Sequence, residues 1–422
     1  MQSPLIFSAC PGRQSWVSAR NQDQAICSLY GQQFKTPTFI PVPENLSPYE
    51  GLKLQRFFLG SHSPIIFTSI RPHPLHIINH YKFPQKTRFV FHTYGNFFGE
   101  LKKWLQLEKT LMGKDVTFLC ASEGQKKLIS LFFKQDQNVQ VLPPSMSEED
   151  WGFDEKKRTS FRAQNSISPD DTLIVYSGRI SLQKNIDLII SKINKIACDT
   201  SPKKIFLFFA GDFDDLSAPY INIELPEGHS YARWIDSLSK VTSPNLKIKF
   251  LGNLNQQERH HLYCAGDFLI SLSLHHAEAL GVSPLEALAS GLPCLLTYWG
   301  GYSSFKIENS KLCNLISTKV NNQGCFINET ELNQTLDHLC HSPIDNKSRT
   351  QEAAAILNHF SKNNSLKRID DIIKTLTNKF EGFSPLAKIA VEKLYQGYGP
   401  RPYPNLYVDI FKEYSGRQAS EP

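Results

Sequence analysis

No stretch of this 422-residue chain approaches the roughly 18 consecutive apolar residues that a membrane-crossing helix requires. The opening Met1-Gln2-Ser3-Pro4-Leu5-Ile6-Phe7 has neither a basic start nor an apolar stretch of signal length, so no secretion signal is expected. The nine cysteines (Cys10, Cys27, Cys120, Cys198, Cys264, Cys294, Cys313, Cys325 and Cys340) include no pair at CxxC spacing, and their count is odd. That pattern argues against a disulfide framework and for free thiols in a reducing, cytoplasmic compartment. Without a secretion signal, the sequons at Asn328 and Asn333 read as chance. Basic tracts interleaved with aromatics are missing, as is zinc-finger spacing, so nucleic acid is not an expected partner. His73, His76 and His80 are spaced as on one helix face, but they lack supporting acids or thiols, and no metal site is expected there.

What is present is enough apolar material for sizeable cores, at 41% of residues, in a length that suggests two domains at about 150 residues each. Charge is unevenly placed. Residues 1–140 hold 16 Lys/Arg against 8 Asp/Glu, a net of +8, while the remainder holds 30 against 32, a net of −2. A solvated basic surface accounts for this excess, and so does an anionic partner such as a phosphorylated acceptor or a lipid headgroup.

Short apolar runs alternate with helical patterns in both halves. Strands are expected at 5–7, 65–69, 88–92, 116–121 and 139–142, with helices at 100–111 and 123–133. In the second half strands are expected at 173–177, 205–210, 247–251, 268–272 and 293–297, with helices at 184–196, 256–265 and 284–290. Such alternation predicts α/β architecture with parallel sheets covered on both faces. The stretch 143–171, with Pro143-Pro144 and the acidic Glu148-Glu149-Asp150, reads as an interdomain connection. The expected domains are therefore 1–150, a linker at 151–170, and 171–365. The residues 329–381 look helical, and a C-terminal segment 366–422 could cross back to the first domain. Within it, 382–422 reads as a separate tail rich in turn formers at 397–404.

The most informative run is His276-Ala277-Glu278-Ala279-Leu280-Gly281-Val282-Ser283-Pro284-Leu285-Glu286. Two carboxylates, Glu278 and Glu286, stand on either side of a glycine that opens a short helix. A helix start offers unpaired N–H groups to phosphate, and carboxylates grip hydroxyls. Phosphate between hydroxyls describes a nucleotide sugar. A structural explanation competes for Glu286: Ser283-Pro284-Leu285-Glu286 has the form of a capping box with Pro at the first helical position. Glu278 has no such explanation and needs a partner. Further features are the strand-to-helix turn Gly178-Arg179-Ile180-Ser181-Leu182-Gln183-Lys184-Asn185, whose two cations suit phosphate oxygens, and the glycines Gly211 and Gly300-Gly301 after strand-like runs. Asp212, Asp214 and Asp215 read as a loop and not as a metal site.

In this order these features resemble the donor-binding half of the retaining GT-B glycosyltransferases of family 4 (glycosyl transferases group 1). The resemblance covers 171–305. It runs through Gly178-Arg179 with Lys184-Asn185, Ala210-Gly211, Phe250-Leu251-Gly252, Leu262-Tyr263, the E-x7-E pair Glu278 and Glu286, and Gly300-Gly301. It implies a GT-B fold, two Rossmann-like doubly wound domains facing a cleft. It also implies transfer of a hexose-type sugar from a nucleotide diphosphate with retention of configuration and without a metal or resident cofactor. In that scheme Glu286 holds the ribose and Glu278 contacts the transferred sugar. Arg179 and Lys184 neutralise the departing diphosphate, and amides near Leu280, Gly281 and Val282 add donors, with Gly178 and Gly211 lining the site. The first half resembles the family more faintly through Phe89-Val90-Phe91-His92-Thr93-Tyr94-Gly95, which makes His92 the acceptor-side candidate, although a histidine after a strand is commonly structural. The acceptor expected from the resemblance is a glycan, a lipid-linked sugar or a peptide. The basic first half adds peripheral contact with the inner face of a membrane. A non-catalytic nucleotide-sugar-binding protein and a GT-B epimerase or phosphorylase are the alternatives. The chain departs from the family in three places. It opens with Cys10-Pro11-Gly12-Arg13 and an irregular glutamine-rich run where a glycine loop and long helix are usual. His275-His276 replace a small hydroxyl residue, and Phe305 stands where an acid is frequent.

Overall fold

The computed structural model describes residues 4–8, 17–35, 37–41, 48–60, 63–70, 74–95, 97–199, 203–215, 226–305, 311–375, 378–394 and 405–415. The chain forms two compact units, Met1–Ser145 with Phe360–Gly397 and Met146–His359 with Tyr398–Pro422. Cys10–Arg13, His73 and the turn-rich 397–404 lie outside the described residues.

The first unit holds a six-stranded parallel sheet made of β1 (Leu5–Ser8), β2 (Thr38–Pro41), β3 (Ile65–Phe67), β4 (Arg88–His92), β5 (Asp115–Cys120) and β6 (Val139–Val141), in the order β2-β1-β3-β4-β5-β6. Five of these strands lie where the apolar runs predict them. The sixth, Thr38–Pro41, carries too little apolar patterning to stand out. It is an edge strand, where a terminal proline is tolerated because no further ladder bond is needed. The glutamine-rich run is not irregular: Val17–Gln33 is one helix. Glutamine is a good helix former, and Ile26, Leu29 and Tyr30 bury one face of it against Ile369, Ile372 and Ile373 of the helix Lys362–Thr375. That late helix does return to the first unit, but the returning segment starts at Phe360 and not at 366. The helix Pro385–Leu394 follows in the same unit.

The second unit holds β7 (Thr172–Ser177), β8 (Ile205–Ala210), β9 (Leu246–Gly252), β10 (Phe268–Ser271), β11 (Cys294–Thr297) and β12 (Cys313–Ile316), all parallel, in the order β12-β11-β10-β7-β8-β9. The central strands read as continuous apolar runs because both faces are covered. Ile174, Tyr176, Leu207, Phe209 and Ile270 share one face with Ile189, Ile190 and Ile193 of the helix Ile186–Asp199. The alternating Leu173, Val175 and Leu269 are equally buried. A small hairpin, β13 (Thr318–Asn321) and β14 (Gly324–Ile327), follows the sheet. A last helix, Asn405–Phe411, packs on this unit, so 382–422 is not a separate tail but is divided between the two units. Among the described residues no helix is long and apolar enough to cross a membrane.

The expected linker 151–170 is corrected by the structure. The second unit begins at Met146, and Glu155–Gln164 is a helix capped by Asp154 and packed within it. The polar composition that suggested a linker belongs to a buried network. Arg158 and Arg162 both pair with Asp267, at 2.6 and 3.1 Å, and the same carboxylate accepts from the Leu173 amide at 2.7 Å. Removing one partner of such a cluster leaves uncompensated buried charge. Asp267→Ala is expected to cost the second unit about 3–5 kcal/mol, read as a lower urea midpoint.

Candidate active site

The strand order of the second sheet reverses between β7 and β10, since β7 leads to β8 on one side and β10 to β11 on the other. In open parallel sheets ligands bind at such a switch point, outside the carboxyl ends of the strands. The turn Gly178–Asn185 leaves the end of β7, and the run to Glu278 leaves the end of β10. The topology therefore brings together two motifs that lie about a hundred positions apart in sequence.

Their side chains meet. The Lys184 ammonium lies 2.6 Å from a Glu278 carboxylate oxygen, and Ser273 donates to the same oxygen at 2.7 Å while lying 3.0 Å from Lys184. Asn185, in the left-handed conformation at φ 55°, donates to the Leu272 carbonyl at 2.6 Å and pins the turn to β10. Glu278 is 8% exposed. Burial pushes its carboxyl up, but Lys184, Ser273 and more distant Arg179 more than offset this, so it stays below its usual range. Burial lowers the Lys184 ammonium despite Glu278. Arg179 pairs with Asp214. The two neighbouring aspartates are engaged as well: Asp212 accepts from Asn253, and Asp215 accepts from the Gly228 and Ser230 amides, both at 2.8 Å, at the start of the helix His229–Ser239.

The glycine-led helix is Val282–Ala289. Gly281 precedes it at φ 94°, a conformation side chains rarely adopt, and a Cβ there would lie 2.3 Å from the Tyr302 ring. Among the described residues, the amides of Leu280, Gly281, Val282 and Ser283 have no backbone partner. They are the free donors of a helix start. The capping-box explanation of Glu286 is overturned: the N-cap is Gly281, with no side-chain cap. Glu286 instead receives a two-pronged bond from Arg259, Nε to Oε2 and Nη2 to Oε1, both 2.9 Å. Tyr263 donates to it at 3.3 Å, and its own hydroxyl meets Ser177 at 2.8 Å. Burial raises the Glu286 carboxyl against the opposing pull of Arg259, whose guanidinium the carboxylate in turn keeps charged. A carboxylate has about four acceptor positions; three are filled here by protein.

Gly178 and Gly211 meet each other at the ends of β7 and β8. A Cβ on Gly211 would lie 2.1 Å from the Gly178 carbonyl oxygen, so close strand-end packing by itself requires that glycine. Arg259 and Ser273 were not anticipated. Arg259 sits one turn before Tyr263 on the helix Gln256–Ala265, and no spacing in sequence links it to Glu286. Ser273 supplies the small hydroxyl that seemed displaced by His275-His276.

His92 belongs to the first unit, at the end of β4. It is 1% exposed, its Nε2 lies 2.8 Å from the Tyr30 hydroxyl, and burial takes its pKa down to about 3. This is a neutral imidazole bracing the strand end against the first helix.

The architecture is that of the GT-B glycosyltransferases, two Rossmann-like units each with a parallel sheet. HepE of Anabaena, solved with UDP and with UDP-glucose, superposes with TM-scores of 0.59 and 0.58 at 14% and 13% identity, covering 88% of this chain and all of that one. Residues 157–351 match the family model of glycosyl transferases group 1. An uncharacterized glycosyltransferase of Methanocaldococcus jannaschii is 24% identical over 181 residues, covering 42% of this chain and 40% of the relative. The lipopolysaccharide 1,2-N-acetylglucosaminetransferase of Salmonella typhimurium is 24% identical over 170 residues, covering 40% and 41%. The match thus spans about two fifths of the length of these curated relatives.

Two outcomes follow from this geometry. Arg259→Ala strands a buried carboxylate, so it should destabilise the second unit by about 3–5 kcal/mol in urea unfolding, and Glu286→Gln in the same background should recover part of that loss. His92 binds its proton more weakly folded than unfolded, so between pH 6.5 and about 3 the unfolded state holds more protons and stability falls as pH falls. Removing this titration in His92→Gln should flatten the acid-side slope of unfolding free energy by up to about 1.4 kcal/mol per pH unit, measured by denaturation from pH 7 to pH 4.

Proposed function

We propose that this chain transfers a sugar from a nucleoside diphosphate sugar to a saccharide acceptor with retention at the anomeric carbon. One observation carries the reading. At the switch point of the second sheet, two buried carboxylates eight residues apart, each paired with its own cation, flank a helix start whose first amides have no backbone partner among the described residues.

The chemistry needs each part. Breaking the sugar–phosphate bond leaves charge on the diphosphate, and donors fixed in advance stabilise it without reorganisation. The amides of Leu280, Gly281 and Val282 and the cations Arg179 and Lys184 supply those donors, each charge-assisted bond contributing roughly 1.5–3 kcal/mol. Glu278, its orientation set by Lys184 and Ser273, takes hydroxyls of the transferred sugar. Glu286, set by Arg259 and Tyr263, takes the ribose through its remaining acceptor position. Protein cations fill the role a metal plays elsewhere, and the leaving diphosphate, on the same face as the incoming hydroxyl, receives the acceptor proton. HepE binding UDP-glucose supports a UDP-sugar donor, and the Salmonella relative supports a glycan or lipid-linked acceptor. Peripheral contact with anionic lipid fits the first unit. Tyr49, Leu52, Arg56 and Leu59 are exposed along the helix Pro48–Gly60, and Phe39 is exposed on β2.

The test is a binding and turnover screen with UDP-, GDP- and ADP-sugars. One donor should bind and be turned over, and Arg179→Ala should lower kcat/KM by about 10²–10³-fold, with Glu286→Ala weakening binding of the free nucleotide as well. Binding that ignores both substitutions, or no binding to any donor, would refute the reading. Binding without hydrolysis or transfer would instead indicate a nucleotide-sugar-binding protein. For the membrane contact, the 422-residue chain should float with phosphatidylglycerol vesicles at low salt and lose this in the double variant Leu52→Glu, Leu59→Glu; equal flotation of the variant would remove it.

A further inference from the structure

The last described segment, 405–415, is built into the loops behind Glu278. The Gly300 amide donates to the Tyr414 carbonyl at 2.9 Å, and Trp299 and Ser415 form an antiparallel bridge. The Tyr414 hydroxyl donates to the Glu278 carbonyl at 3.4 Å, and the Gly301 amide donates to that same carbonyl at 2.8 Å. Packing leaves no slack. Gly300 sits at φ 53°, and a Cβ on it would lie 2.6 Å from the Tyr414 ring and 2.8 Å from the Glu278 carbonyl; one on Gly301 would lie 2.3 Å from the Ala279 carbonyl group. Behind this contact Phe411 stacks on Trp299 at 6.3 Å and meets the His276 ring edge-on at 6.4 Å, while the Trp299 indole donates to the His275 carbonyl at 2.8 Å. Tyr407, Ile410, Phe411 and Tyr414 are buried to 3% exposure or less.

These contacts fall on the Glu278 arm of the site. They reach His275, His276, Glu278, Trp299, Gly300 and Gly301, the backbone that aims the Glu278 carboxylate. Glu286 is held from the other side, by Arg259 and Tyr263.

Resting on the donor-site reading above, we propose that the C-terminal segment is a positioning element for recognition of the transferred sugar, with Tyr414 and Phe411 as positioning residues acting through Glu278 and Gly300-Gly301. The helix Asn405–Phe411 and the turn after it thereby set how the sugar is held, while the ribose carboxylate Glu286 is held by Arg259 and Tyr263. A merely structural helix would, when weakened, lower active fraction and affect nucleotide and sugar alike.

The experiment uses the full chain with the donor that the wild type turns over, and UDP, GDP and ADP as free nucleotide probes. Tyr414→Ala and Phe411→Ala should raise KM for the sugar donor and lower kcat/KM by about 10–100-fold, the scale of a misplacement near 1 Å. The Kd of the matching free nucleotide should change less than about twofold, below the tenfold that 1.4 kcal/mol represents. Tyr414→Phe, which keeps the ring and the Gly300 bond, should restore most of the activity. Amide hydrogen exchange should speed up across 276–279 and 299–301 in the alanine variants and stay unchanged at the helix Gln256–Ala265. Donor kinetics and exchange at wild-type levels in both alanine variants, or nucleotide and sugar affinity lost in equal proportion, would overturn the proposal while leaving the donor-site reading standing. A wild type that binds no nucleotide sugar would overturn both.

Discussion

The buried pair between Lys184 and Glu278 joins the two strand ends at which the second sheet reverses its order. An ammonium and a carboxylate at 2.6 Å, with Ser273 bonded to the carboxylate, exist at this depth only because each cancels the desolvation cost of the other. Everything around them serves that match. Asn185 adopts a left-handed conformation to bring Lys184 to β10, and Gly301 lets the backbone of Ala279 pass close enough to fix where Glu278 points. A buried ion pair is weak support for stability in itself. Its value here lies in orientation, since an uncompensated carboxylate in the same place would take up a proton.

The second carboxylate follows the same logic with different residues. Arginine, not lysine, faces Glu286, and its planar fork takes both carboxylate oxygens and leaves little freedom of rotation. Between the two held carboxylates the helix start at Gly281 has only amides to offer. On the proposed reading the site separates its tasks by residue type: carboxylates for hydroxyls, amides and cations for phosphate. Flexible side chains are pre-ordered by partners that never need to touch a ligand, which is how a site reaches the geometric tolerance that transfer chemistry demands.

Much of this was legible in the sequence because period and punctuation are local properties. The apolar runs of β7, β8 and β10 stand out as buried parallel strands do, and Gly281 with the carboxylates around it marks a helix start. Lys184 and Glu278 were both singled out, although nothing local says that they touch. What escaped depends on tertiary pairing. Arg259 looks like one more surface cation on a polar helix until the fold sets it against Glu286. Arg158 and Arg162 look like part of a solvated linker, because charge alone does not distinguish exposed residues from those buried against a distant Asp267. The glutamine-rich Val17–Gln33 shows no clear apolar period in sequence, and the burial of Ile26, Leu29 and Tyr30 depends on the distant helix Lys362–Thr375. His92 was noticed for its position after a strand, yet its burial against Tyr30 depends on a helix sixty residues earlier.

The central claim is that Gly281, Arg179 and the two held carboxylates form one nucleotide-sugar site. A crystal structure of the chain with a bound nucleoside diphosphate tests it most directly. The account predicts phosphate oxygens within hydrogen-bond distance of the Gly281–Ser283 amides and of Arg179, with the ribose on Glu286. Nucleotide bound elsewhere on the second unit, with the helix start at Gly281 left to solvent, would contradict it.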